Sequence, residues 1–180
     1  MKITVITSSP HKHGTSALLA DEFIRGAREA GHDVFRFDSA YEQVSPCLAC
    51  DQCKDSHTGC VRKDSMEKLN PHLLAADTVV FVTPLYYYGM SAQLKTVIDR
   101  FYANNSALLG CGKSAILLAT SYDAYDWTMN AITTHYQTIV RYLEWKDAGV
   151  LFATGCGSRE DIEQTEFPAI AYKMGKEIGG

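Results

Sequence analysis

Apolar positions along this chain follow two alternating rhythms. Residues 3–6, 78–83 and 114–120 are continuous β-branched or aliphatic runs, the pattern of strands buried on both faces. Residues 33–37 alternate over a shorter span, as an edge strand does, and residues 149–154 predict a fifth strand. The intervening stretches are helical in spacing. Leu19, Phe23, Ala27 and Ala30 recur on one face, and Gly31 closes that pattern. Met66, Leu69 and Leu73 follow an Asp64/Glu67 spacing that predicts a capping box. Leu94, Val97, Ile98 and Phe101 form a third stripe, and Met129, Ile132, Tyr136 and Leu143 a fourth. Ile170, Met174 and Ile178 form the last, with Pro168 marking a restart. Pro84 is expected to end the third strand.

Strands alternating with helices predict an α/β fold, a parallel sheet covered on both faces and joined by right-handed crossovers. The loops after strands one, three, four and five are polar, glycine-rich or aromatic, and ligands of open α/β sheets sit at that edge. The first loop carries hydroxyls, His11, His13 and one glycine ahead of a helix N-terminus. Unpaired amides and the helix dipole suit it to a single phosphate, although it is neither GxGxxG nor a P-loop. An ordinary capped turn is the alternative. The third loop sets Tyr86, Tyr87, Tyr88, Gly89 and Met90 at the mouth of the sheet, and the fourth adds Tyr122, Tyr125 and Trp127 beside Asp123. A phosphate nest with an aromatic slot matches a phosphorylated planar cofactor; a solvated rim or a dimer surface stands as the alternative for the tyrosines.

Composition narrows the partners. A formal charge of −4 and a pI near 5.8 argue against nucleic acid, and no apolar span has membrane length. With no signal-peptide-like stretch ahead of the first strand, a cytoplasmic location is expected. The length of 180 residues predicts one domain, residues 1–180, with a cysteine-rich loop at 45–64. There Cys47, Cys50, Cys53 and Cys60 follow a Cys-x2-Cys-x2-Cys-x6-Cys pattern, close to the run that wraps a [4Fe–4S] cube in bacterial ferredoxins. Free or reactive thiols, zinc and a reversible disulfide remain the alternatives. Cys111 and Cys156 read as small buried hydrophobes. His57, His72 and His135 receive no role, and Arg100 reads as a structural residue closing a helix.

The segments ITSSPHKHGTSALLADEF, PCLACDQCKDSHTGCVRKDSM, VVFVTPLYYYGMSAQLKTVIDRFY and LFATGC resemble the NADPH-dependent FMN reductases of flavodoxin-like fold, including the iron–sulfur flavoprotein branch. The resemblance spans nearly the whole chain. It implies a three-layer sandwich with a five-stranded parallel sheet in order 2-1-3-4-5, a bound FMN, and a homodimer with the flavin near the interface. It assigns the FMN phosphate to Ser8, His13, Thr15 and Ser16, and the ribityl chain and ring to Pro84, Leu85, Tyr86, Tyr87, Tyr88 and Gly89. Thr120, Ser121, Tyr122 and Asp123 would lie along the other side of the ring. Tyr122 stands where the family often has a small residue, which narrows the space above the ring. The implied activity passes electrons from NAD(P)H to a quinone, a flavin or another small acceptor, with no side chain as chemical catalyst. An electron-transfer module served by a protein partner, or a non-redox ligand-binding protein, are the rival readings.

Overall fold

The computed structural model describes residues 1–55 and 59–179; His57 lies outside them. In chain order the elements are β1 (Lys2–Thr7), α1 (Thr15–Glu29), β2 (Asp33–Asp38), α2 (Gln52–Asp55), α3 (Met66–Ala75), β3 (Thr78–Tyr86) and β4 (Gly89–Met90). Then come α4 (Ala92–Asp99), a 3₁₀ turn (Arg100–Asn104), α5 (Asn105–Leu108), β5 (Ser114–Thr120), α6 (Asn130–Tyr142), β6 (Lys146–Ala153), α7 (Arg159–Glu163) and α8 (Phe167–Glu177). The parallel sheet has the order β2-β1-β3-β5-β6, which is the expected 2-1-3-4-5 once the small hairpin strand β4 is set aside.

The continuous apolar runs become the central strands because both faces of the sheet are covered. One face packs Ile6, Phe81 and Leu117 against residues of α3, α4 and α6, with Tyr136 fully buried among them. The other packs Val5, Val80 and Leu118 against α1, α7 and α8. Emptying one such site, Phe23 for instance, costs about 3–5 kcal/mol. Helices α1 and α8 meet unusually closely. A β-carbon on Gly26 would lie 2.1 Å from the Tyr172 carbonyl oxygen, and one on Gly175 would lie 2.0 Å from that of Phe23. Only glycine on both sides permits this contact.

Four expectations change. The sheet has six strands rather than five, because β4 folds back antiparallel on the end of β3. Pro84 does not end β3; it sits inside the strand, in register with Thr120, and the strand runs on to Tyr86. The last strand begins earlier, at Lys146, with an irregularity opposite Ala115–Leu117 that hides its pattern in the sequence. Asp64 makes no capping box: α3 starts after Ser65, whose side chain does not cap it, and the Asp64 carboxylate accepts from the Met66 amide at 3.1 Å while it pairs with Arg100. Among the described residues, no helix is long and apolar enough to cross a membrane.

Candidate functional site

The C-terminal ends of β1, β3 and β5 open into a cleft of ≈ 750 Å³, within the range of small-molecule sites. Its first wall is the loop from Ser9 to Thr15. No side chain caps α1 and no acidic residue stands in its first turn, so the dipole and the first amides are left for an anion. Gly14 permits the turn to close, since a β-carbon there would sit 3.0 Å from that of His11. His13 and Thr15 line the cleft, and the Thr15 hydroxyl donates to that of Thr120 across it at 3.0 Å. Ser16 is buried and lines an adjoining cleft that shares His11, His13 and Tyr41 with the first. The Ser8 hydroxyl does not reach the cleft wall. It donates to the Val82 carbonyl at 3.1 Å in a fully buried position, which leaves only its backbone for a ligand.

The second wall is the hairpin. Pro84, Leu85 and Tyr86 line the cleft. Tyr87 and Tyr88 form a two-residue turn into β4 with φ of 47° and 62°, left-handed values that tyrosine adopts only under constraint. Tyr87 stands fully in solvent, while Gly89 pairs with Tyr86. Tyr88 turns away to donate to Asp123 at 3.0 Å, and this bond is the main reason its phenol is held above its ordinary pKa. The Tyr88 ring also leans on Trp127, which stacks on Tyr125. Behind the hairpin the Thr83 hydroxyl accepts from the Ser91 amide at 3.0 Å, in a buried position. Sequence reading passed over Thr83 and Ser91.

The third wall is the loop after β5. Thr120, Ser121 and Tyr122 line the cleft, and the Ser121 hydroxyl donates to the Asp123 carbonyl at 2.7 Å, which fixes the turn. The Tyr122 ring packs on Gly157, where a β-carbon would lie 2.5 Å from it. The Asp123 carboxylate engages Tyr88 rather than the cleft. Tyr41, Lys12 and Arg159 line the cleft as well; Lys12 lies over the Tyr41 ring at 4.8 Å. Tyr41 follows the edge strand with no motif around it, so no local signal marked it.

A second recess lies in the 45–64 loop. Cys47, Cys50, Cys53 and Cys60 all line one small cavity together with Arg62, Arg100 and Tyr102. Left-handed turns at Ala49 and Asp51 wind the loop, and Tyr102 holds Asp51 at 2.8 Å. Burial, and then the nearby sulfurs of Cys60, Cys50 and Cys47, push the Cys53 thiol up. No disulfide forms. Among the described residues, no three His, Cys, Asp or Glu side chains stand at metal-holding geometry. The donor set nevertheless suits a thiolate-held metal group: four sulfurs from one loop border one cavity. Of the two remaining cysteines Cys156 is buried, but Cys111 is exposed, contrary to expectation.

The cleft fits FMN on two counts, an open helix N-terminus for the phosphate and an aromatic wall in the same recess. Comparison with known proteins points the same way. Residues 1–155 match the profile of the family described as NADPH-dependent FMN reductase. An iron-sulfur flavoprotein of Methanocaldococcus jannaschii is 35% identical over 100 residues, covering 56% of this chain and 50% of that protein. The chain spans about half the length of the curated relatives it matches first. Among solved structures, the NAD(P)H:quinone oxidoreductase from Methanothermobacter marburgensis superposes with a TM-score of 0.74 at 18% identity, covering 99% of this chain and 96% of that one. The FMN-dependent NADH-azoreductase of Bacillus anthracis, in complex with FMN, gives 0.67 at 16% identity, covering 98% and 97%. At such identities these two likenesses speak for the fold alone.

Proposed function

Because the chain belongs to the NADPH-dependent FMN reductase family, we propose that its cleft holds FMN and that the protein passes electrons from NAD(P)H to a quinone, a flavin or another small acceptor. One observation carries the reading: an uncapped helix N-terminus and an aromatic hairpin share a single cleft. The first amides of α1, with His13, Thr15, Ser16 and the backbone at Ser8, receive the phosphate. Pro84, Leu85, Tyr86 and Gly89 flank the ribityl chain and one side of the ring, and Thr120, Ser121 and Tyr122 flank the other. Asp123 acts by holding Tyr88, and so the hairpin, in place. When bound, FMN supplies the hydride and single-electron chemistry, while the protein supplies position, polarity and access. Residues 1–180 then form one FMN-binding domain in the cytoplasm. The exposed rings of Tyr87, Tyr125 and Trp127 support a second copy completing the slot.

The test is anaerobic titration of the purified chain with FMN, then NADPH or NADH, then a soluble quinone. The expected result is one FMN per chain, bleached by the nicotinamide and restored by the quinone, with parallel double-reciprocal lines, since donor and acceptor use one site in turn. A colourless chain that takes up no added FMN overturns the reading.

The four cysteines around one cavity favour a second reading alongside the first, an iron–sulfur flavoprotein in which Cys47, Cys50, Cys53 and Cys60 hold a [4Fe–4S] cluster and a protein partner gives or takes electrons. Iron and acid-labile sulfide in equal amounts support it; a chain without iron keeps four thiols.

A further inference from the structure

Arg100 closes α4 as a structural residue, as the sequence reading has it, and its side chain does more. It is 3% exposed and reaches both ends of the cysteine loop. Its Nη1 donates to the Ser45 carbonyl at 2.8 Å and to Asp64 at 2.6 Å, and its Nη2 donates to Asp64 at 3.3 Å. Asp64 in turn accepts from the Ser45 amide at 3.1 Å, and the Ser65 amide bonds the Gln43 carbonyl at 3.0 Å. The neck of the loop is therefore tied shut by one guanidinium and one carboxylate, together with a single backbone bond beside them.

The tie leaves something over. The Nε atoms of Arg100 and of Arg62 are buried and have no hydrogen-bond partner among the described residues, and both arginines line the cysteine cavity. A buried, charged donor without an acceptor is costly, and native structures keep few of them. The cavity offers mainly sulfur as an acceptor. Asp51 and Asp99, which also border it, already pair with Lys54 and Lys95.

We propose that Arg100 is a positioning residue of the cysteine site: it ties the neck of the loop and, with Arg62, turns buried cationic N–H donors toward the cysteine sulfurs that share its cavity. The proposal rests on the four cysteines working as one site, and it does not require iron. Donors to sulfur and nearby charge are what tune such ligands.

The test compares the wild-type chain with Arg100→Gln, Arg100→Lys and Arg62→Gln. Iron and sulfide are assayed first on each purified chain, and this alone judges the cluster reading. Where the chain carries no iron, the readout is the alkylation rate at Cys60 with iodoacetate, an anion, divided by that with neutral iodoacetamide. Removing a cation next to the sulfur lowers this ratio about tenfold in Arg100→Gln. The fall is smaller in Arg62→Gln, and Arg100→Lys restores most of the ratio. Where the chain carries iron and sulfide, the readout is the midpoint potential of that centre. It falls in both Gln variants and recovers in Arg100→Lys, because a cation stabilises the more negative reduced state. Gln variants at the wild-type value, or a Lys variant as low as Gln, overturn the proposal. Should Arg100→Gln lose its cooperative melting, Arg62→Gln decides alone, since it leaves the Arg100–Asp64 pair intact.

Discussion

The cleft is walled by the ends of strands and by the first turn of a helix, and most of its polar groups are hydroxyls, imidazoles and amides, with Lys12 and Arg159 beside them. The cysteine cavity is walled on one side by an irregular loop and on the other by the 3₁₀ turn after α4, which supplies one half of the charged pair that closes the loop. In the cleft, position comes from the sheet, so many side chains each contribute a little and few are indispensable. In the cavity, position leans on Arg100, whose partner Asp64 lies 36 residues away, with Tyr102 holding Asp51 farther along the loop, so one substitution removes the largest share of it. A ligand site borrowed from secondary structure is robust; one built on a few side-chain ties is economical and more fragile.

The largest expected effect breaks the fragile side. Arg100→Ala leaves Asp64 buried, at 7% side-chain exposure, without its counter-ion, and losing one partner of such a pair costs about 3–5 kcal/mol. Thermal or denaturant unfolding measures it, and a loss below about 1 kcal/mol would mean the pair is no more than a surface contact. Acid sharpens the same contrast. Arg100 and the amides of Ser45 and Met66 hold the Asp64 carboxyl below its ordinary value of 3.8, against the opposing pull of burial. A depressed folded-state pKa contributes stability that is present above the unfolded value and is lost as pH falls below it. Stability in the wild type should therefore drop below about pH 4 more steeply than in Asp64→Asn, with midpoints measured between pH 6 and pH 3.

On the robust side the effects are smaller. Thr15→Val removes the hydroxyl bonded to Thr120 and one donor of the phosphate loop, so FMN affinity should fall about tenfold with the fold intact, as read by fluorescence titration. An unchanged affinity would place the phosphate elsewhere. The smallest effect concerns the hairpin. Tyr87 is wholly exposed at φ 47°, so Tyr87→Asn loses no packing and relieves backbone strain, raising stability by about 0.5–1 kcal/mol. If FMN binding or turnover falls in that variant although stability rises, the ring serves the ligand or a second copy rather than the turn.

The same contrast explains what was legible in the sequence. Strands buried on both faces have to be continuously apolar, and helices that cover them have to repeat every three or four residues, so the order of elements could be read directly, and with it the strand ends where the cleft lies. The errors fall where a local rule met a tertiary one. Pro84 is tolerated inside β3, where the chain runs on to pair with β4. The hairpin lacks the Asn-Gly or Asp-Gly that advertises such a turn, because Tyr88 is held by Asp123 and Trp127 instead. Ser8 looked like a phosphate ligand by its position, but its hydroxyl is used to join β1 to β3. The Arg100–Asp64 tie had no local signature: Asp64 satisfied the spacing of a capping box, and Arg100 that of a helix end.

The glycine contact between α1 and α8 has a mechanical consequence for the cleft. The family match ends at residue 155, yet α8 begins at Phe167 and grips α1 at Gly26, eleven residues along the helix from Thr15. Along a rigid rod of about 1.5 Å per residue that distance is roughly 17 Å, so a tilt of about 5° at the grip would swing the phosphate loop by about 1.5 Å. The close fit at Gly26 and Gly175 fixes α1 against α8, so the direction of the loop depends on a contact at the far end of its helix.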